Sequence, residues 1–456
     1  MTNPKDTIQQ IGGAESKKNE LLKRILFTLF CLAVFRVGTQ ITVPGVDLLS
    51  MEQFFGSISN TALGFYNRFT GGALERFSIF ALGVMPYITS SIIFSLLALS
   101  FPYFAELQKE TDGRKKISQW TRYFSVVLCV FQGYGLTVMM ESSTGVTGTS
   151  IVIDPGLGFK ATAILTMTAG SLFVMWLGER ITEKGIGNGV SLIIFAGIAA
   201  GIPSAFRGTY NLFMNNEISF LAIVAILVII LLSFWFVVFI ERSYRKVPVH
   251  YAKRVVNNRV YGGQVSHLPV KLNVSGIMPP IFAYALLSIP GTITQFNLTA
   301  NIPDSLSLLK TILESFQAAM NPGSNLYTLV LIGLIIFFSF FYATLQFRAK
   351  DISENLQKNG GFLPGIRPGL KTEEFLTSVV NKLALVGGVY VSLICVLPTI
   401  LLVNFNVPFF FGGTSLLILV GVALDTIAQA EGFLISQRYD RLYKVKGKAS
   451  SSSRRF

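Results

Sequence analysis

The sequence predicts an all-α polytopic membrane protein in which ten transmembrane helices form two inverted five-helix halves. Hydrophobic residues make up 51% of the 456 residues and charged residues 14%, a composition far too apolar for a soluble domain. Two short motifs of the first half also recur, in the same order, in the second half. The composition predicts the membrane, and the recurrence predicts two related halves.

Residues 72–97 form the apolar segment on which the rest of the prediction depends. After Glu75 and Arg76 the segment has no charged residue, and about twenty apolar residues are enough to cross a hydrocarbon core. Gly83 and Pro86 interrupt it, and irregular backbone at membrane depth is tolerated only where it is buried in protein or lines a water-filled cavity. We therefore predict a transmembrane helix that faces a pathway.

The two recurring motifs are short but keep their order. The motif GVMPYI at 83–88 recurs as GIMPPI at 276–281, and GVSLII at 189–194 recurs as GTSLLI at 413–418. Because the two motifs occur in the same order in each part of the chain, they indicate two related halves of one membrane domain.

Apolar segments with the length of a membrane span occur throughout the chain. The ten predicted spans are residues 22–42, 72–97, 120–140, 160–178, 187–206, 218–240, 273–296, 326–347, 376–402 and 409–433. Five spans per half place the second half upside down relative to the first. This is the inverted-repeat plan, in which the functional site lies near the midplane where the halves meet.

The basic residues indicate which side of the membrane each loop faces. With a cytoplasmic N-terminus, 32 of the 38 Lys and Arg residues fall in the tails and the cytoplasmic loops, as the positive-inside rule requires. The other six are Arg36, Arg68, Arg76, Lys160, Arg207 and Lys310. Both termini are therefore predicted to be cytoplasmic.

This topology divides the chain into a cytoplasmic N-terminal segment, two halves and a basic cytoplasmic C-tail. These parts are residues 1–20, 21–206, 207–435 and 436–456, and the second half contains two long cytoplasmic loops at 241–271 and 348–374. A half-apolar piece at 61–69 is too short to span the bilayer. It is predicted to be a re-entrant or plugging element, or a loop helix.

The cysteines and histidines predict neither disulfides nor a metal site. Cys31, Cys129 and Cys395 stand alone in apolar segments, and His250 and His267 share a polar loop without an acidic cluster. The sequence has no Walker A pattern, no HExxH and no credible Ser/His/Asp set. We predict no cofactor, no metal and no enzymatic activity, so that energy must come from a partner.

The recurring motifs place branched apolar residues at the midplane of the predicted spans. These residues are Val84, Ile88, Val190, Ile194, Ile281 and Ile418. A solute site would need convergent polar groups, whereas a ring of apolar side chains makes a narrow constriction that dewets and seals. Ordinary helix packing is the alternative interpretation of the same residues.

The loops at 241–271 and 348–374 are long and basic. The second contains the turn PGIRPG at 364–369, which presents Arg367. The positive-inside rule explains the sign of their charge. It does not explain their length or their turn residues, which favour a docking surface for a large partner, including one that carries RNA.

Five stretches of the sequence resemble the SecY family, the large subunit of the bacterial protein-translocation channel. They are GGALERFSIFALGVMPYITSSII, ITEKGIGNGVSLIIFAGI, YAKRVVNNRVYGGQVSHLP, GGFLPGIRPG and FGGTSLLILVGVALD. The resemblance covers nearly the whole chain and implies ten helices around an hourglass pore, closed by a ring of the six apolar residues named above. Val84 and Val190 are smaller than the isoleucine expected for the family, which implies a slightly looser seal.

The resemblance also implies roles for three further sets of residues. An external plug at about 57–72 includes Thr61, Leu63, Phe65, Tyr66, Phe69, Gly71 and Gly72. A lateral gate between helices 2 and 7 includes Thr89, Ser90, Ile92, Gln132 and Ile289. Docking of the ribosome or the SecA motor ATPase falls on Lys253, Arg254, Arg259 and Arg367.

The function implied by the resemblance is that of a protein-conducting channel. It passes unfolded secretory polypeptides across the bacterial inner membrane and releases hydrophobic segments, such as signal sequences, sideways into lipid. The implied partners are the small membrane subunits SecE and SecG, the SecA motor, the ribosome and nascent polypeptides.

An inverted-repeat secondary transporter and a membrane-bound enzyme are the alternative classes. A transporter needs an ion-coupling charge at the midplane, and its candidates are Asp425, Glu431 and Lys382, which lie toward the cytoplasmic ends of their spans. An enzyme needs a cluster of catalytic polar residues inside the spans, and none is visible in the sequence.

Overall fold

The structure, a computed structural model, describes most of the chain. The described residues are 4–57, 62–143, 150–215, 219–251, 254–256, 259–261, 265–295, 324–405 and 413–452. Up to residue 201 the helices in these ranges are α1 (Pro4–Gly38), α2 (Leu48–Ser57), α3 (Ala62–Thr70), α4 (Met85–Ser100), α5 (Pro102–Lys109), α6 (Thr111–Ser142), α7 (Leu157–Lys184) and α8 (Gly189–Ala200).

The later part of the chain contains both helices and strands. Its described helices are α9 (Ile202–Met214), α10 (Phe220–Glu241), α11 (Met278–Gln295), α12 (Asn325–Gln346), α13 (Ala349–Lys358), α14 (Leu370–Phe405) and α15 (Gly413–Ser452). Its described strands are β1 (Tyr244–Tyr251), β2 (Arg254–Val256), β3 (Arg259–Tyr261), β4 (Val265–Lys271) and β5 (Gly361–Phe362).

The helices make this a multi-pass membrane protein. Among the described residues, seven helices are long and apolar enough to cross a bilayer, or eight if α4 and α5, which meet at 109°, form one broken span. Each of the ten predicted spans overlaps a helix. The predicted all-helical membrane class is confirmed, and the count of ten spans stays a prediction.

The chain divides into two compact units. Unit 1 consists of Met1–Ser59, Leu63–Gly201 and Val422–Phe456, and unit 2 consists of Asn60–Ala62 and Ile202–Gly421. A boundary at Gly201 coincides with the break between α8 and α9. Pro203, one residue into α9, has no backbone N–H and so cannot continue the hydrogen bonding of α8. The predicted fifth span, residues 187–206, thus has a turn at Gly201, and the stretch Gly189–Asn211 is one of those long and apolar enough to cross a bilayer.

The predicted helix at residues 72–97 is shorter in the structure. Residues 72–84 form turns, and helix α4 begins only at Met85. Gly83 takes φ +54°, a conformation that favours glycine, and Pro86 lies in the first turn of α4, where its missing N–H costs nothing. The irregular segment is buried in protein, as its position in the membrane requires.

Backbone hydrogen bonds hold the irregular segment against the chain that follows α1. The amide of Val43 donates to the carbonyl of Phe77 at 2.9 Å, and the amide of Ile79 donates to the carbonyl of Ile41 at 2.9 Å. Around them packs a core of unit 1 that includes Leu74, Phe77 and Met167. The segment that precedes α4 is thereby fixed without helical hydrogen bonds.

The connection between α1 and α3 is also ordered by local bonds. Asp47 caps α2, because its carboxylate accepts hydrogen bonds from the hydroxyl of Ser50 at 2.6 Å and from the backbone amide of Ser50 at 3.2 Å. These two bonds hold the pKa of Asp47 below its usual value.

Parts of the two basic loops form strands. In unit 2, β1 pairs antiparallel with β4 and with β5, so that the sheet order is β4-β1-β5 and His250 lies opposite Phe362. Val247 and Val249 of β1 pack with Leu363, Leu376 and the C-terminal end of α12 and the N-terminal part of α14. The loops at 241–271 and 348–374 are therefore joined to each other and to the helices beneath them.

Candidate pore constriction and plug

A narrow apolar cavity in unit 1 brings predicted ring residues together. It is lined by Phe35, Phe69, Thr70, Gly83, Val84, Met85, Ile88, Ile193 and Ile194. Its volume is about 10 Å³, which is close to the least that one water molecule needs. Water has little room here and almost no polar partner, so the cavity has the form of a dewetted constriction.

Three of the six predicted ring residues line this cavity. Val84 and Ile88 come from the start of α4, and Ile194 comes from α8. Val190 does not line it, because its Cγ2 packs beside Gly178 of α7. Ile193 also lines the cavity, but the sequence did not predict it, although its neighbour Ile194 in the same motif was predicted.

The two remaining predicted ring residues are buried in unit 2. Ile281 lies on α11 and is 2% exposed, and Ile418 lies on α15 and is 0% exposed. The hydroxyl of Thr414 donates to the Tyr284 hydroxyl at 3.2 Å, which ties the two helices together. Their part in a ring stays a prediction.

The predicted plug is the short helix α3 and the turn after it. Leu63, Phe65 and Tyr66 lie on α3, whereas Thr61 lies outside the described residues. Phe69 and Thr70, at the end of α3, line the narrow cavity. The predicted plug helix thus ends at this apolar cavity.

Polar contacts hold the plug helix in place. The hydroxyl of Tyr66 donates to the carbonyl of Leu82 at 2.7 Å. The amide group of Asn67 donates to the Glu75 carboxylate at 3.1 Å and accepts from the Glu75 backbone N–H at 3.0 Å. Arg36 donates to the carbonyl of Gly71 at 2.7 Å. The position of Arg36 in the sequence did not reveal this contact, which joins residues far apart in the chain.

The plug turn also packs directly on the backbone of α8. A Cβ placed on Gly197 would lie 2.9 Å from the carbonyl oxygen of Phe69 and 3.1 Å from the amide nitrogen of Gly71. No side chain fits between them. Glycine is therefore required at Gly197 by the closeness of two backbones.

We expect Gly197→Ala to destabilise the protein even though alanine favours helices. The added methyl group collides with the plug backbone, and overpacking of this kind costs about 1–3 kcal/mol of unfolding free energy. The matched control is Gly333→Ala in α12, where the added Cβ meets nothing within 4 Å and should be neutral or stabilise by up to about 1 kcal/mol. Thermal unfolding in detergent measures both, and equal melting temperatures for the two variants would contradict the close approach.

The sequence and the fold of this site match one known family. The family model described as SecY matches residues 78–427. The protein translocase subunit SecY of Escherichia coli (strain K12) is 42% identical over 432 residues, which cover 94% of this chain and 96% of that protein. The chain belongs to the SecY family.

Solved structures show the same fold at lower sequence identity. One solved structure has a TM-score of 0.64 at 18% identity and covers 91% of this chain and 93% of that one. In that structure the plug domain of the SecY protein stabilises the closed state of the translocation channel and maintains a membrane seal. Sec61 in the canine ribosome–channel complex from the endoplasmic reticulum has a TM-score of 0.59 at 17% identity, with the same coverage. The SecY-family assignment thus extends to the architecture.

Four of the five predicted gate residues of this SecY-family chain are buried on α4 and α6. The hydroxyl of Ser90 donates to the carbonyl of Thr121 at 2.6 Å and joins the two helices. The hydroxyl of Thr89 donates to the carbonyl of Met85 within α4, and Ile92 is 2% exposed. Gln132 on α6 is also buried, and among the described residues its side-chain oxygen has no hydrogen-bond partner. Ile289, the last predicted gate residue, lies on α11.

Of the predicted docking residues, Arg367 is the one whose surroundings the structure details. Arg367 is exposed, and its carbonyl accepts a hydrogen bond from the hydroxyl of Thr372 at 2.9 Å. The turn is further held by the hydroxyl of Ser353, which donates to the carbonyl of Gly369 at 2.8 Å. The turn is thus fixed through its backbone while the guanidinium faces outward. The other docking residues are Arg254, which begins β2, Arg259, which begins β3, and Lys253, which lies outside the described residues.

The charges that a secondary transporter would need do not lie in the SecY-type constriction. Asp425 and Glu431 are exposed on α15, and Lys382 is exposed on α14. The cavity lining given above contains no ionisable side chain. The structure therefore offers no support for the transporter interpretation at this site.

Proposed function

We propose that the chain is the channel-forming subunit of a protein translocase, through which unfolded secretory polypeptides cross the membrane. The observation that carries this proposal is the narrow apolar cavity lined by Val84, Ile88 and Ile194, with the end of the plug helix in its wall. Family membership supports it, since the E. coli relative is named a protein translocase subunit.

An apolar constriction suits a cargo of mixed chemistry. A polypeptide in transit presents charged, polar and apolar side chains in turn, so a stereospecific polar site would hold some of them and stall transport. Branched apolar side chains interact weakly with all of them and exclude water when the cargo is gone. Ile281 and Ile418 of the second half complete the ring in this proposal.

Hydrophobic segments leave the channel sideways into lipid between the second and seventh predicted spans, which contain α4 and α11. Partitioning decides the route, because each Leu or Ile favours the bilayer by about 0.3–0.6 kcal/mol and each charged residue opposes it by about 2.5–3.5 kcal/mol. The gate on this proposal includes Thr89, Ser90, Ile92, Gln132 and Ile289. The Ser90–Thr121 bond supports a rigid α4–α6 pair on one side of that gate.

The energy for transport comes from partners that dock on the basic loops. The proposed partners are the SecA motor and the ribosome on the cytoplasmic face, with SecE and SecG as small membrane subunits. The exposed guanidinium of Arg367 on a fixed turn supports docking at this surface. The count of basic residues supports cytoplasmic termini, and the E. coli relative supports a location in the inner membrane of a bacterium.

Reconstitution into lipid vesicles tests the proposed function. The full chain with its small subunits, supplied with a motor ATPase, ATP and a radiolabelled secretory precursor, is expected to deliver the precursor into a protease-protected compartment. Vesicles without the chain are the control. Equal protection of the precursor with and without the chain would overturn the proposal.

A further inference from the structure

The carbonyl of Leu82, just before helix α4, has no helical hydrogen-bond donor. In a helix, the carbonyl of Leu82 would accept from the backbone N–H of residue 86, but proline has none. Leu82 is 1% exposed, and a buried carbonyl without a donor is unfavourable. This carbonyl therefore needs a donor from elsewhere in the fold.

Two side chains donate to the consecutive carbonyls of Leu82 and Gly83. The hydroxyl of Ser171, on the long helix α7, donates to Gly83 at 2.8 Å. The hydroxyl of Tyr66, on the plug helix α3, donates to Leu82 at 2.7 Å. One bond thus comes from the scaffold, and the other depends on where the plug lies.

The C-terminal end of the plug is fixed separately from Tyr66. Asn67 is bound to Glu75 through both its side-chain groups, and the Gly71 carbonyl is bound by Arg36. The turn itself packs against the backbone of Gly197. These contacts anchor the side of the plug at which the chain continues into the constriction segment. Tyr66 lies one turn before the end of α3, and its bond to the Leu82 carbonyl holds the body of the helix rather than its end.

We propose that the Tyr66 hydroxyl is a positioning group that latches the plug to the backbone of the constriction in the closed channel. This inference rests on the proposed function. When the plug leaves, the Leu82 carbonyl, two residues before Val84, loses its donor, so plug displacement and loosening of the constriction are one coupled event. The bond favours the closed state, because the open state leaves a buried acceptor unpaired.

The substitution Tyr66→Phe removes the hydroxyl and keeps the ring. Loss of one hydrogen bond shifts the equilibrium between closed and open channels by about threefold to tenfold. In vesicles that carry the full chain with its small subunits, we expect ion leak without precursor to rise by that factor. Secretion of a precursor with an impaired signal sequence should rise similarly, while secretion of the intact precursor stays unchanged.

One control variant separates a latch from a general weakening of the fold. Tyr123→Phe removes a tyrosine hydroxyl from a residue on α6 that is 71% exposed. It should keep the wild-type leak and the wild-type signal-sequence selectivity. Wild-type behaviour of Tyr66→Phe, or an equal change in Tyr123→Phe, would overturn the latch.

A second measurement covers the case in which Tyr66→Phe does not accumulate. 3-Fluorotyrosine at position 66 keeps the hydroxyl and makes it a stronger donor, so secretion of the impaired precursor should fall below the wild-type rate. An unchanged or higher rate would overturn the latch. Failure of the proposed function is distinguishable, because the wild-type protein itself would then not transport the intact precursor.

Discussion

Vesicles that carry the double variant Ile88→Asn and Ile281→Asn are expected to leak ions in the resting state and to accept precursors with impaired signal sequences. Burial of an isoleucine side chain is favourable by about 1.5–3 kcal/mol, and an amide in its place hydrogen-bonds water instead. Each substitution should therefore raise the hydrated fraction of the constriction roughly tenfold or more. Ion flux and secretion of the impaired precursor measure the effect.

The control for this variant keeps the constriction apolar. Ile88→Val with Ile281→Val removes one methylene from each side chain and adds no polar group, so it should leave conductance within about twofold of the wild type. A double asparagine variant that seals as well as the double valine variant would remove the assignment of these residues to a ring. It would leave ordinary helix packing as their role.

Motor-driven secretion is expected to slow about tenfold in Arg367→Glu while the protein still inserts into the membrane. The guanidinium is exposed on a turn held by its own backbone bonds, so charge reversal changes the docking surface without disturbing the fold. Repulsion of a partner shaped for a positive group costs about 1–2 kcal/mol at an exposed site, which corresponds to roughly tenfold. Secretion rates with saturating ATP provide the measurement.

Salt dependence and a second charge reversal identify the cause of that loss. Added salt screens exposed charges, so the gap between wild type and Arg367→Glu should narrow as ionic strength rises. Lys350→Glu makes the same charge change on α13 of the same loop, at an exposed residue, and should secrete at nearly the wild-type rate. A gap that salt does not alter, or an equal defect in Lys350→Glu, would contradict specific docking at Arg367.

Composition was sufficient to predict the membrane class, whereas the pore ring inferred from the repeated motifs stays a prediction. Val84, Ile88 and Ile194 line one cavity because the motifs place them beside helix-breaking glycine and proline. Helical periodicity did not separate Val190, which packs on α7, from Ile193, which lines the cavity. Which side of a short apolar helix faces a cavity depends on its neighbours, and all sides of α8 have similar hydrophobicity.

Long-range polar contacts were beyond what the sequence reveals. Arg36 has the position of a residue that reaches toward the membrane surface, yet it binds the Gly71 carbonyl. Pro86 favours a helix that starts at Met85. The carbonyls just before that start must then accept hydrogen bonds from side chains elsewhere in the fold. The basic loops have alternating apolar residues at Val247 and Val249, a pattern typical of a strand that the sequence analysis did not use. Val247 and Val249 pair with Leu268 and Ser266 of β4, whereas the partners of His250 and Tyr251 lie more than a hundred residues away on β5.

The hydroxyl donors to Leu82 and Gly83 have a consequence for how the protein is made. Residues 72–84 enter the bilayer well before Ser171 has been synthesised, since the Ser171–Gly83 bond spans 88 residues of chain. Until α7 emerges, the Gly83 carbonyl lacks this donor in a medium that supplies no water. The predicted second span therefore gains its full set of hydrogen bonds only after the fourth has inserted. Biogenesis of this half is on this basis a concerted assembly rather than a series of independent insertions.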